Sequence, residues 1–266
     1  QVERIDLRFP LNLLVRGVEV IQQPDTLLSL ESLNVRVQAW PLVKGKVEVD
    51  EVTLSQVAFN SANLIEGMKI KGVLGRFFLQ SHGVDLSNEL AVINQTELSD
   101  THVQMLMNDT TTTPKDTTAS APVNWKVDLH KLKLKNVSFS MQLPADSMRM
   151  AAHIGEAFIN DAQADLKNQF YELKQFLLSG SSANYDTGAA KPGEGFDASH
   201  IAVRDIRIGL DSLLYKGRDM NAVIREFSMN ERSGLSITSL TGRAFSNDSI
   251  IRIPGIKLQT PHSEID

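Results

Sequence analysis

The stretch Lys46–Asn60, KVEVDEVTLSQVAFN, decides how this chain folds. Its apolar residues stand at Val47, Val49, Val52, Leu54, Val57 and Phe59, so the steps run two, three, two, three, two. A helix would repeat every 3.6 residues and a flat strand every second residue. A step of two keeps side chains on one face of a strand. A step of three adds one residue, and a bulge or short turn there returns the apolar side to the same face. The pairs at these insertions are polar or turn-forming: Glu31-Ser32, Asp50-Glu51, His130-Lys131, Arg204-Asp205 and Pro254-Gly255. The reading is therefore all-β and mostly antiparallel. It describes an elongated, curved, twisted and bulged sheet with one apolar face, which is either packed against a second sheet as a closed core or left as the lining of a groove.

The rhythm recurs. Asp50–Phe59 (DEVTLSQVAF) aligns with His130–Phe139 (HKLKLKNVSF) at an offset of 80, matching Leu54 to Leu134, Val57 to Val137 and Phe59 to Phe139. Asp85–Ser99 aligns at the same offset with Asp165–Ser179, sharing Asp, Leu, Asn, Gln, Leu and Ser. Two separate segments with one offset imply an internal repeat of about 60 to 80 residues. Ile201–Leu210 and IRIPGIKL (Ile251–Leu258) carry the rhythm as a third, weaker copy, and Leu28–Val37 as a partial one. Between the blocks lie two loop-like stretches, the Thr-rich 108–122 and the Gly-rich 180–199. Neither has enough apolar surface to offset the entropy of ordering it. The organisation expected is one continuous elongated domain: β-blocks at 1–107, 123–179 and 200–266, joined by those loops. Residues 147–178 are rich in Ala, Met, Leu and Glu, which favour helix. Their match to Asp85–Ser99 argues for strands, with room for one short helix around Ala151 to Asn160.

Composition narrows the function. A net charge of -5 gives no support for nucleic-acid binding, and the lack of cysteine excludes disulfides, thiolate metal sites and cysteine nucleophiles. No apolar run approaches the roughly 20 residues of a membrane-spanning helix, Phe9–Ile21 being short and broken by Asn12, Arg16 and Glu19. The chain begins QVERID, without an initiator methionine, and reads as a segment excised from a longer protein, without any targeting or anchoring segment the parent carries. No HExxH, GxSxG or GK[ST] motif is present. The six histidines read as surface residues, and Lys131, Lys133 and Lys135 as the solvated face of an amphipathic strand. No catalytic residue, metal site or cofactor is expected. The candidate site is instead the apolar face itself, through Val47, Val49, Val52, Leu54, Val127, Leu129, Leu132 and Leu134. A smooth aliphatic lining of this kind suits acyl chains.

The run Asp25–Asn60, with Pro41, Leu42, Val43, Gly45 and Lys46 ahead of the Val47 strand, resembles the amino-terminal region of the TamB and AsmA-like family. The run Ser233–Asp266, ending Thr260, Pro261, Ser263, Ile265, resembles the Bacteroidetes-type members. The resemblance implies a periplasmic body whose parent protein is anchored in the bacterial inner membrane by an amino-terminal helix that this chain lacks. It further implies a sheet curled into a taco-like groove with an apolar interior, bridge-like transfer of phospholipid acyl chains along it toward the outer membrane, support of outer-membrane assembly, and a barrel partner of the Omp85 type. It implies no catalytic residues. The alternative reading is a secreted glycan-binding or adhesin-type β-sandwich, for which Trp40 and Trp125 would be the stacking surface.

Overall fold

The structure, a computed structural model, describes residues 1–9, 11–40, 48–62, 64–85, 88–107, 124–188 and 191–266. The strands are β1 (Val2–Arg8), β2 (Asn12–Gln22), β3 (Asp25–Val37), β4 (Val49–Asn60), β5 (Met68–Asp85), β6 (Leu90–Met107), β7 (Lys126–Leu143) and β8 (Met148–Asp165). They continue as β9 (Phe170–Asp186), β10 (His200–Lys216), β11 (Asp219–Glu231), β12 (Ser236–Ile237), β13 (Ser239–Ser246), β14 (Ile251–Arg252), β15 (Lys257–Gln259) and β16 (Glu264–Ile265). All belong to one sheet, in an order that follows the chain from β1 to β11 and then through β13 and β15 to β16. Every pairing is antiparallel except that of β6 with β7, which is parallel. β1 does not pair with β16, so the sheet is open and curled like a groove.

The steps of three mark a line of kinks that crosses ten strands at one level. Between the pairs Leu30↔Val57 and Ser32↔Ser55, Glu31 stands opposite Gln56. The line continues through Gly75, Asp100, Asn136, Gly155 and Gly180 to Asp205, and back through Gly17 to Glu3. Six of these residues lie in the left-handed region: Gly17 (φ 59), Gln56 (49), Asp100 (51), Asn136 (52), Gly180 (59) and Asp205 (55). That region is open to Gly and tolerated by Asn and Asp, which accounts for the Arg204-Asp205 insertion, whereas the Asp50-Glu51 step falls at a separate register shift between β3 and β4. From β1 to β9 the extra residue is matched on the neighbouring strand, so the ladder keeps step, whereas between β9 and β10 the register shifts on both sides of the Ile206↔Ser181 pair. Gly155 has a second reason to be glycine: a Cβ there would lie 2.5 Å from the carbonyl oxygen of Gly180.

The repeat is visible in hydrogen bonds. β4–β5–β6 and β7–β8–β9 are equivalent three-stranded units at the offset of 80. Asn88 donates to Asp85 from its backbone (3.1 Å) and side chain (2.7 Å), and Asn168 does the same to Asp165 (3.1 and 2.8 Å). Thr101 Oγ1 and Ser181 Oγ each donate to the carbonyl two residues back, both at 3.1 Å. The unit has an odd number of strands, so repeating it in the same orientation requires the parallel β6–β7 junction.

Several expectations are corrected. Residues 151–160 lie inside β8 as strand, not helix, because pairing with β7 and β9 on both sides outweighs local propensity. The Gly-rich stretch 180–199 is not all loop: β9 continues to Asp186, with Ala183 and Tyr185 in register with β10. In IRIPGIKL, by contrast, the turn read at Pro254-Gly255 is present, between β14 and β15. The third copy keeps the kink at Asp205, but β10 runs antiparallel to β9 and so does not continue the repeat's orientation. Residues 41–47, which include Val47 and the Pro-Leu motif, and the Thr-rich stretch 108–122 lie outside the described residues. No helix among the described residues is long and apolar enough to cross a membrane, and Phe9–Ile21 contributes β2.

Candidate functional site: an uncovered apolar face

Directly paired residues on neighbouring strands share a face, so the register can be followed across the sheet. Starting from Ile5, one row passes through Val15, Leu33, Leu54, Phe77 and Leu98. It continues through Leu134, Ala157, Leu178 and Ile208 to Phe227. Every position in this eleven-strand row is apolar. A second row joins Val35, Val52, Leu79, Thr96, Leu132 and Ile159, then Phe176, Leu210 and Ile224. The sequence candidates thus fall into common rows: Val52 with Leu132, and Leu54 with Leu134, with two strands between them. Val49 pairs with Val37, and Val127 and Leu129 extend the face toward the start of β7.

Nothing in the described chain packs on this face. The buried hydrophobic residues are few, Leu30, Ala91, Ala157 and Ala222, and no large side chain is fully buried among the described residues. The seven described candidates are all half-buried. A closed sandwich would bury the inner faces of two sheets against each other. Here the residues that would form such a core line a trough instead.

Hydroxyls on the face are turned away from it. Thr96 donates to the Phe78 carbonyl (3.1 Å), Thr101 to that of Ser99 and Ser181 to that of Ser179. Ser81, 4% exposed, donates to the carbonyl of Val49. Backbone acceptors thereby satisfy these groups and leave a low-polarity lining. Where Val203 pairs with Glu231 the apolar lining ends in a charge. Ser233, through side-chain and backbone hydrogen bonds, holds the Glu231 carboxyl below the usual carboxylate range.

A cavity of about 230 Å³ lies on the apolar face, walled by Val127, Leu129, Ala164, Tyr171, Leu173 and Leu213. A larger hollow of about 1010 Å³ lies beside β1–β4. Glu3, Arg16, Glu19 and Glu31 wall it, and desolvating such charges makes it a poor acyl site. The opposite face carries the expected solvated lysines: Lys131, Lys133 and Lys135 are exposed, Lys133 level with Glu97 and Lys135 with Glu156.

Not all histidines are on the surface. His200 is only 6% exposed, and its Nδ1 lies 2.9 Å from Asp197. Asp197 also accepts the backbone N–H groups of Gly193 (3.1 Å) and Ser199 (2.9 Å), and these bonds lower its pKa to about 2. This cluster fastens the turn into β10. Among the described residues no group of three or more His, Cys, Asp or Glu side chains could hold a metal ion. Trp40 is exposed and Trp125 half-buried. β3 and β7 are separated by three strands, roughly 19 Å at the usual strand spacing, so the two rings do not form one stacking platform.

Of the two rows only Val52, Leu54, Leu132 and Leu134 are sequence candidates; the other positions, Phe77, Leu98, Phe176, Leu178 and Ile208 among them, are added by the register. A signal for two of them lies in the repeat, since Leu98 and Leu178 coincide at the offset of 80. No family model matches the chain, and no curated protein matches it.

Proposed function

We propose that this chain is a non-enzymatic section of a bacterial cell-envelope protein that conducts phospholipid by seating acyl chains along the apolar face of the sheet. The observation that carries this reading is the row from Ile5 to Phe227, apolar at every strand and covered by no second layer. The row crosses eleven strands, so the apolar trough runs on the order of 50 Å at about 4.8 Å per strand. Such a length suits a conduit better than a single-ligand pocket. Each acyl methylene withdrawn from water stabilises the complex by about 0.8 kcal/mol. With the resemblance to TamB and AsmA-like proteins, the proposed setting is the periplasm, with the parent protein held in the inner membrane by a segment outside this chain. An Omp85-type barrel engaged through the rest of the parent chain would be the outer-membrane partner, and support of outer-membrane assembly the outcome.

The test is native mass spectrometry with lipid extraction on protein purified from a bacterial lysate containing its membranes. The comparison is a Val52→Asp, Leu132→Asp double variant, which places two carboxylates in one row of the face. Seating an acyl chain over them would require desolvating charge at a cost of several kcal/mol, enough to cancel the gain from about four methylenes. Phospholipid should accompany the wild type and be absent from the folded variant. Equal retention by both would refute the site. No lipid in either would refute the reading and return attention to the surroundings of Trp40 and Trp125.

A further inference from the structure

Six of the eight methionines stand together on the apolar face, at one end of four neighbouring strands. Met105 of β6 pairs with Met141 of β7, which pairs with Met150 of β8. Two residues further along β6, Met107 pairs with Met68 of β5, while Met148 of β8 pairs with Leu143. Elsewhere the two long rows use Leu, Val, Ile, Phe, Ala and Thr. Strands favour β-branched and aromatic residues, so backbone preference does not account for methionine here. Nor does core filling, the usual use of its flexibility, because these side chains are only partly buried and no layer covers them. What distinguishes this patch from the rest of the face is its thioether sulfur.

We infer that Met105, Met141 and Met150 form a binding site for a soft monovalent cation of the Cu(I) class. Thioethers are neutral, polarizable ligands that select Cu(I) over the harder cations preferred by carboxylates and carbonyls. The register supplies the geometry. Directly paired residues have Cβ atoms about 5 Å apart, and each methionine has three rotatable bonds beyond its backbone. Met105 and Met150 flank Met141 on either side, so their sulfurs can lean inward and meet that of Met141 above β7. No covalent or redox step is involved, and the site does not depend on whether lipid occupies the trough.

The test uses Ag(I) as a redox-inert probe, alongside Cu(I) kept reduced by ascorbate and competed with bicinchoninate. The comparison is a Met105→Leu, Met141→Leu, Met150→Leu variant, which conserves apolar volume and should leave the sheet intact. Wild type should take up one Ag(I) ion per chain, and the methyl NMR signals of Met105, Met141 and Met150 should move together. The variant should lose the ion while its far-ultraviolet circular dichroism is unchanged. The inference is overturned if wild type takes up no Ag(I), if the folded variant binds it equally well, or if the shifts are spread evenly over all eight methionines.

Discussion

Asn136 is the place to test whether the kink line is built into the backbone. It sits at φ 52, and its side-chain amide donates to Asp100 Oδ1 at 2.8 Å, joining the left-handed residues of β6 and β7. Replacing it by valine puts a β-branched residue where L-residues pay about 1–2 kcal/mol, and asparagine pays less than most. The lost hydrogen bond adds about 0.5–1 kcal/mol, at the low end because the pair is exposed. Asn136→Val should therefore cost about 1.5–3 kcal/mol. Asn136→Gly loses the same bond, and its greater unfolded-state entropy costs about 0.5–1 kcal/mol, but it adopts the conformation freely, so it should cost about 1–2 kcal/mol less the strain it relieves, and stay below valine. Urea unfolding followed by fluorescence of Trp125, close to the start of β7, reads the difference as a lower midpoint for valine at unchanged slope. If valine is no more destabilising than glycine, the left-handed kink is not what the sequence specifies there.

Two further outcomes follow from the same geometry. Gly155→Ala brings a methyl to 2.5 Å from the Gly180 carbonyl oxygen, a backbone atom with little freedom to yield. It should destabilise by about 1–3 kcal/mol in the same urea experiment, whereas Gly188→Ala, with nothing within 4 Å of its added Cβ, avoids that clash and pays only for its φ of 81. The backbone N–H groups of Gly193 and Ser199, with His200, lower the Asp197 pKa from its ordinary value of 3.8 to about 2. A depressed carboxyl stabilises the fold above its unfolded pKa and loses that contribution as pH falls through the folded value. Hydrogen exchange of Gly193 and Ser199 should thus accelerate between about pH 4 and pH 2 relative to the chemical rate, and Asp197→Asn should abolish that pH dependence.

Much of this architecture was legible because the two-three-two rhythm has only one economical explanation. Leu54 and Val57 can share a face only if something between them adds a residue's turn, and Gln56 supplies it with a positive φ. Pairing order was harder to read. The junction between β6 and β7 passes through residues whose composition carries no strand pattern, so the parallel join was invisible locally. It was implied all the same by the repeat, since three strands per unit and a constant orientation leave no other way to join β6 to β7. The helical propensity of residues 147–178 misled because propensity ignores the two strands that flank β8. The groove itself was less accessible: periodicity shows that a face is apolar but not whether a second layer covers it. The methionine patch could not be seen at all, because its members are far apart in sequence and meet only through register across β5, β6, β7 and β8.

The central claim is that acyl chains lie on one face of the sheet and not the other, and neighbouring positions on β7 separate the two directly. Leu134 belongs to the apolar row, whereas Lys133 is exposed on the opposite face beside Glu97. A photoreactive phenylalanine analogue placed at each position in turn, and irradiated in living bacteria, reports which face meets lipid. The account predicts phospholipid adducts at position 134 and none at position 133. Adducts at 133 alone, or equal yields at both, would contradict it.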